Sequence, residues 1–324
     1  MLFNYSDLLN NNLAIEQYFF INFQISLSND SFGYLNYLIF RKSLMLVYFN
    51  NDFKLHSEVN LSLFDRGFLF ADGVYESIRT YNKKLFRYED HLKRLKRSLK
   101  ETRIDFTDLN SVENIIYELM IKNEIDDEAL VYIQITRGTA MPRTHSFPKE
   151  KISPTIFISV QELKESTEEQ TKGVKVILQE DVRWLRCDIK STSLLPVVLA
   201  SQKATEENAA EAILVRDGMI TEGTHTNFFA VKDETLYTAP KSRLILEGIT
   251  RKVVLEFCDK FKIDYREEFF YKDDLKSFEE FFITSTTKEI TPVTSIDYWI
   301  INHGEPGKVT KSLQSLFKKI AEDY

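Results

Sequence analysis

Four places in the chain carry residue types able to do chemistry. Lys190 ends the mixed stretch Glu180-Asp181-Val182-Arg183-Trp184-Leu185-Arg186-Cys187-Asp188-Ile189 and precedes Ser191-Thr192-Ser193, where a chain can turn a lysine inward. An inward lysine is a candidate catalytic amine, whereas an arbitrary lysine is a solvated surface residue. Glu222 lies in Thr221-Glu222-Gly223-Thr224-His225-Thr226-Asn227, a turn between two strands where hairpin polarity alone would account for a carboxylate. Arg143 and His145 close the segment Thr136-Arg137-Gly138-Thr139-Ala140-Met141-Pro142-Arg143-Thr144-His145, which reads as a loop around Pro142. Arg94 belongs to the basic run His91-Leu92-Lys93-Arg94-Leu95-Lys96-Arg97, whose acidic flanks suit a solvated helix face. Type and spacing leave both readings open at each place.

Composition narrows the function classes. Lys and Arg number 42 against 49 Asp and Glu, a net charge of −7, and the clustered basic face of a nucleic-acid binder is missing. Cys187 and Cys258 form neither a C-x-x-C pair nor a disulfide scaffold, so a reducing, cytoplasmic setting is expected and no zinc framework is implied. No run of about 18 apolar residues marks a membrane span, and no secretory signal is read. The dinucleotide fingerprint, the P-loop, H-E-x-x-H and G-x-S-x-G are absent. Five scattered histidines show no metal spacing.

The elements that must position these residues read as mixed α and β, an α+β chain long enough for one large or two medium cores. Residues 1–44 stand apart, rich in Asn, Phe, Leu and Tyr, poor in charge and without a steady period. They read either as an extension that packs on the body or on a partner, or as sequence ahead of a natural start at Met45, which is the reading favoured here. A smaller N-terminal α/β domain is expected over 45–161. It opens with Leu46-Val47-Tyr48-Phe49 before the turn Asn50-Asn51-Asp52. A helix after Tyr88 puts Leu92, Leu95 and Leu99 on one face. A second, from about Leu109 to Lys122, points Ile115, Ile116, Leu119 and Met120 inward. Strands are expected at Leu130–Thr136 and Thr155–Val160. The polar, acidic stretch 162–171 reads as a linker. A larger, β-rich domain with helices is expected over 172–324. Its strands fall at Val174–Leu178, Ala212–Val215, Phe228–Val231, Thr235–Tyr237 and Glu280–Thr284. Its helices fall near Pro196–Asn208, from Gly248 to about Phe261, and over Val309–Ile320.

The run Arg183–Ser191 resembles a signature of the fold-type IV pyridoxal-phosphate (PLP) enzymes. So do Phe70-Ala71-Asp72-Gly73-Val74-Tyr75-Glu76, Leu246-Glu247-Gly248-Ile249-Thr250-Arg251 and Ser285-Thr286-Thr287-Lys288-Glu289-Ile290-Thr291-Pro292-Val293. That family contains D-amino-acid aminotransferases, branched-chain aminotransferases and aminodeoxychorismate lyases, and the four runs are most similar to the first subgroup. The likeness extends from about Met45 to near the C-terminus and leaves residues 1–44 uncovered.

The resemblance implies a two-domain fold-type IV architecture, PLP as cofactor, and a D-amino-acid transaminase. Such an enzyme passes the amino group of a D-amino acid such as D-alanine to 2-oxoglutarate, giving pyruvate and D-glutamate. It implies that Lys190 is the Schiff-base lysine and shuttles the proton between Cα and the cofactor's C4′. Glu222 would pair with the pyridinium nitrogen and keep the ring electron-accepting. Arg94 would take the phosphate, its forked donors matching the oxygens, so that one residue of the basic run turns inward. Ile249 and Thr250 would add donors at a helix N-terminus, with Ser285 and Thr286 as further phosphate donors. Leu246 would pack on the ring face, the alternative being an ordinary core leucine. Tyr75, Arg143 and His145 would hold the substrate α-carboxylate and fix which Cα hydrogen faces the lysine. The Arg and His would come from the neighbouring subunit, which implies a homodimer with shared active sites.

The chain departs from the family pattern in three places. The loop before Arg143 is one residue longer than the usual spacing. Ala71 replaces an expected Gly. Thr224-His225-Thr226 replaces a Ser-rich turn, with His225 read as facing solvent. The rival activities are a branched-chain L-amino-acid aminotransferase, an aminodeoxychorismate lyase, and a non-catalytic PLP-binding protein. Holding Lys190, Glu222 and Arg94 together argues against the last, because binding alone needs no carboxylate for the ring nitrogen.

Overall fold

The computed structural model describes residues 45–163 and 167–324. The expectations placed on residues 1–44 and on Lys164–Ser166 of the linker lie outside them. The described residues fall into two compact units. In the smaller, which holds Met45, Leu46 and Lys54–Val59, the His56 N–H donates to the Met45 carbonyl at 3.0 Å. The larger comprises Val47–Phe53 and Asn60–Tyr324 and carries every site residue named below.

The first elements in chain order are β1 (Leu46–Phe49), β2 (Asp52–Leu55), α1 (Arg66–Phe70), β3 (Gly73–Tyr81), β4 (Lys84–Leu85), α2 (Tyr88–Thr102), α3 (Val112–Lys122), β5 (Ala129–Thr136) and β6 (Thr155–Glu162). They build a six-stranded sheet in the order β2-β1-β6-β5-β3-β4. Strand alternation sends Ala129, Val131, Ile133 and Ile135 of β5 into the core. On α2 the leucines expected to face inward, Leu92, Leu95 and Leu99, are all buried, and His91 and Ser98 are buried with them. Glu89 and Asp90 complement the positive end of its dipole. Left-handed Arg103 ends it by donating its N–H to the Leu99 and Lys100 carbonyls.

The remaining elements are α4 (Thr167–Lys172), β7 (Val174–Glu180), α5 (Leu195–Glu206), β8 (Glu211–Arg216), β9 (Met219–Gly223), β10 (Asn227–Lys232), β11 (Thr235–Thr238), α6 (Ile249–Phe261), β12 (Tyr265–Glu267), β13 (Glu280–Ser285), β14 (Glu289–Ile296), β15 (Trp299–Ile300) and α7 (Lys308–Glu322). A nine-stranded sheet runs β12-β11-β10-β13-β14-β7-β8-β9, with β15 against β14. Its central strands are apolar on both faces, as strands covered on both sides must be. Consecutive phenylalanines on β10 and β13 pair across the ladder on opposite faces. Phe229 stacks on Phe282 at 4.6 Å and Phe228 on Phe281 at 5.5 Å.

Two sequence expectations need correction. The second helix begins at Val112 and not near Leu109. Thr167–Thr171, the end of the expected linker and read without secondary structure, is helical, within α4. Polarity there marks exposure and not irregularity: Lys172 and Glu168 pair at 2.9 Å one turn apart on a solvated helix. Among the strands the sequence reading missed, β3, β9 and β14 each carry or adjoin a site residue.

Candidate active site

The segment between β7 and α5 has no ladder of its own, so its backbone groups must find partners elsewhere. They find them mainly on β3 and α2. The Tyr75 N–H donates to the Lys190 carbonyl (3.0 Å) and the Thr192 N–H to the Gly73 carbonyl (3.0 Å). The Lys190 N–H reaches Ser98 Oγ (3.3 Å). Arg97 donates to the Asp188 carbonyl (2.6 Å) and pairs with its carboxylate. This strapping turns Lys190 inward. Its ammonium lies 4.4 Å from the centroid of the Tyr75 ring, and among the described residues no carboxylate pairs with it. The pocket it enters is also lined by Tyr75, Arg94, Glu222, Leu246, Ile249, Thr250, Ser285 and Thr286. Nine of the expected site residues, Lys190 included, therefore share one cavity.

Glu222, on β9, is only 4% exposed. One carboxylate oxygen accepts from Arg183 Nη1 at 2.6 Å, and the other from Asn227 Nδ2 and the Leu246 N–H, each at 3.0 Å. Burial is the largest influence on this carboxyl. It outweighs the opposing pull of Arg183 and pushes the group up to about 7. Arg183 is itself pinned by Asp181 at 2.9 Å. Sequence reasoning quoted Arg183 and Asn227 within its motifs but gave them no role. The signal was their spacing to Glu222 across separate strands, which no local pattern reveals.

The far end of the pocket is built to take an anion. Arg94 Nε and Nη2 grip the two oxygens of Glu76 at 2.7 and 2.8 Å, and Nη1 donates to the Glu247 carbonyl at 2.9 Å. A guanidinium has five N–H groups, so two remain for a ligand. Burial opposes the charge on Glu76, but Arg94 and the hydrogen bond from His91 at 2.8 Å outweigh it and hold the carboxyl far below its usual range. Among the described residues no side chain caps the first N–H groups of helix α6, which starts at Ile249, the condition in which a helix end accepts an anion. The Thr250 hydroxyl donates to the Ser285 carbonyl at 3.0 Å. Ser285 Oγ accepts the Lys288 N–H at 3.0 Å, and Thr286 Oγ1 lies 3.4 Å from the Ser77 carbonyl.

The sequence signature of the family described as amino-transferase class IV matches residues 73–296. The chain belongs to the class IV aminotransferases. It is therefore a PLP-dependent aminotransferase of fold type IV with a mixed α+β fold. The D-alanine aminotransferase of Bacillus licheniformis is 43% identical over 272 residues, covering 84% of this chain and 95% of that protein. That of Staphylococcus aureus strain N315 is 41% identical over 281 residues, covering 86% and 98%. A branched-chain amino acid aminotransferase from T.th., solved with pyridoxamine 5'-phosphate, superposes with a TM-score of 0.77 at 25% identity over 86% of this chain and 94% of that one. The Escherichia coli branched-chain enzyme shares the fold, with a TM-score of 0.78 at 24% identity over 85% and 94%.

The residues of this class IV chain fit the cofactor. Thr284 Oγ1 is buried, without a hydrogen-bond partner among the described residues, on a residue that lines the pocket. A buried hydroxyl left in that state calls for a ligand or water. Gly248 leaves the helix end bare: a Cβ there would lie 2.1 Å from Asn227 Oδ1. Leu246 is half-buried at the pocket wall, as a ring-facing leucine would be. Arg143 and His145 are different. Both are exposed and absent from the pocket of their own chain. Arg143 lies over the Phe70 ring at 4.5 Å, and the His145 ring sits 5.4 Å from it. Buried Arg66 shapes their loop by donating to the Thr144 (2.7 Å), His145 (3.3 Å) and Ser146 (3.3 Å) carbonyls. His225, expected to face solvent, is exposed; it also lines the pocket, and its ring Nδ1 lies 3.1 Å from Glu211.

Proposed function

We propose that this aminotransferase moves the amino group of a D-amino acid such as D-alanine to 2-oxoglutarate, forming pyruvate and D-glutamate. The observation that carries this is the convergence of a lysine without a counterion, a buried carboxylate and an uncapped helix end with Arg94 on one pocket. Bound PLP supplies an electrophilic carbonyl and an electron-accepting ring. Lys190 provides the amine that anchors it and, once freed, takes and returns the Cα proton. Glu222, held in place by Arg183 and Asn227, would meet the ring nitrogen. Arg94, Ile249, Thr250, Ser285 and Thr286 would hold the phosphate, and Leu246 would pack on the ring. Similarity to the D-alanine aminotransferases supports the D-specific reading.

Tyr75 meets the substrate carboxylate together with Arg143 and His145 of the partner subunit, in a homodimer with shared active sites. Two observations support this. The Arg143 loop is exposed, and so are many large apolar side chains, among them Leu63, Phe68, Met141, Leu195 and Leu199. The presence of two sheets supports a domain division into 45–161, a linker 162–171 and 172–324. A cytoplasmic setting suits the free thiols Cys187 and Cys258.

Purified enzyme is expected to react with D-alanine and 2-oxoglutarate, and borohydride to fix the cofactor on Lys190. Turnover of L-leucine in place of D-alanine would refute the D-specific reading. Mixing a K190A chain with an R143A chain tests the shared site. A hybrid dimer pairs intact Lys190 with intact Arg143 across the interface at one of its two sites, so activity returns. No recovery after subunit exchange would place Arg143 in its own chain's site or in none.

A further inference from the structure

The turn between β9 and β10 is organised around a buried carboxylate. Glu211 opens β8, and its side chain is fully shielded. It accepts the N–H groups of Ala212 (2.9 Å) and Thr224 (3.1 Å), the Thr226 hydroxyl (3.0 Å) and the Thr224 hydroxyl. Among the described residues its one cationic partner is the imidazole of His225, whose Nδ1 lies 3.1 Å from Oε2. The packing is close: a Cβ on Gly223 would stand 2.0 Å from Thr226 Oγ1 and 3.0 Å from the Glu211 carboxyl carbon. A carboxylate on Nδ1 fixes the ring's orientation and leaves Nε2 to face outward. The His225 side chain is 44% exposed and lines the same cavity as Lys190.

The pocket's other cations are already assigned. Arg94 is gripped by Glu76, Arg183 by Asp181 and Glu222, and Lys190 is the anchoring amine. His225 is the remaining pocket-lining side chain able to carry positive charge. A dicarboxylic substrate brings a second carboxylate that the α-carboxylate contacts do not meet. We propose that His225, oriented by Glu211, binds this second carboxylate of substrates such as D-glutamate and 2-oxoglutarate. The proposal rests on the transaminase reading above. In the bound state the ring lies between two carboxylates, Nδ1 toward Glu211 and Nε2 toward the substrate, each contact a hydrogen bond to a charged group. His225 is the contacting residue, and Glu211 acts through it as a positioning residue.

The test compares first half-reactions of the holoenzyme with D-glutamate and with D-alanine, each followed by cofactor absorbance. In H225Q the ratio of the D-glutamate to the D-alanine rate constant is expected to fall about tenfold or more, the value of one charged hydrogen bond. H225K is expected to restore much of that ratio. An unchanged ratio in H225Q, or an H225K enzyme as poor as H225Q, overturns the proposal. A failed transaminase reading gives a different result, since the wild-type enzyme would then react with neither D-amino acid.

Discussion

Glu76→Gln is expected to destabilise the cofactor-free enzyme far more than the loaded one. Glu76 and Arg94 are nearly sealed from solvent, at 1% and 9% side-chain exposure, and meet through two hydrogen bonds of 2.7 and 2.8 Å. Glutamine keeps one acceptor oxygen but sets an NH2 group against the guanidinium, and the negative charge is gone. Removing one member of a buried ion pair costs about 3–5 kcal/mol. The hydrogen bond to the Glu247 carbonyl survives but carries no countercharge. In the loaded enzyme the phosphate supplies an anion at the two remaining N–H groups, so the expected cost falls to about 1–2 kcal/mol. At roughly 2–4 °C per kcal/mol for a chain of this size, the melting temperature drops by about 10 °C without PLP and about 4 °C with it. Thermal melts of both proteins, with and without the same excess of PLP, measure this. The sign with pH follows from Glu76 being held below the usual carboxylate range. Its contribution is present at neutral pH and lost as pH falls below about 4, so the difference between the proteins narrows in acid. Equal losses with and without PLP would mean that the phosphate does not compensate Arg94, and the assignment of Arg94 would fail.

Two further predictions concern groups the cofactor is expected to satisfy. Burial pushes Glu222 up to about 7 against Arg183's pull, so in the cofactor-free enzyme stability declines as pH rises from about 4.3 through 7, by something on the order of 3 kcal/mol. Urea denaturation at pH 5 and pH 8 should show this decline in the wild type and a flatter response in E222Q, whereas equal pH responses would contradict the environment described for Glu222. Thr284→Val removes an orphaned buried hydroxyl at nearly constant volume. The cofactor-free protein should be as stable as the wild type or up to about 1 kcal/mol more so. PLP titration should show weaker binding in the variant; unchanged affinity would mean that the hydroxyl faces no part of the cofactor.

What the sequence revealed depended on whether the cause was local. The buried face of α2 was readable because Leu92, Leu95 and Leu99 repeat at helical spacing and tertiary packing agrees with that period. The direction of Arg94 was not readable from charge, since a basic run on a helix ordinarily faces water. Its burial depends on Glu76, which lies 18 positions away on the unread strand β3. Glu222 was found through its motif, but its clamp joins Arg183, Asn227 and the Leu246 backbone from separate segments. The helix at Thr167–Lys172 was not legible because a short exposed helix and a loop have the same polar composition. Arg143 and His145 mark a different limit: they are exposed and outside the pocket of their own chain, and only the family resemblance gives them a role.

The arrangement also determines where attraction for the phosphate must originate. Glu76 already neutralises Arg94, so that pair presents directed donors with little net charge. The uncompensated positive potential at this end comes from the first turn of α6, where bare N–H groups and the helix dipole point the same way. That places unusual demands on Gly248. A side chain there would strike Asn227 Oδ1, 2.1 Å from its Cβ, while Asn227 Nδ2 holds both Glu222 and the Leu246 carbonyl. Moving the helix end therefore disturbs the buried carboxylate of Glu222. The two ends of the cofactor site are joined through one asparagine, and the glycine is what permits β10 and α6 to approach closely enough for that residue to serve both.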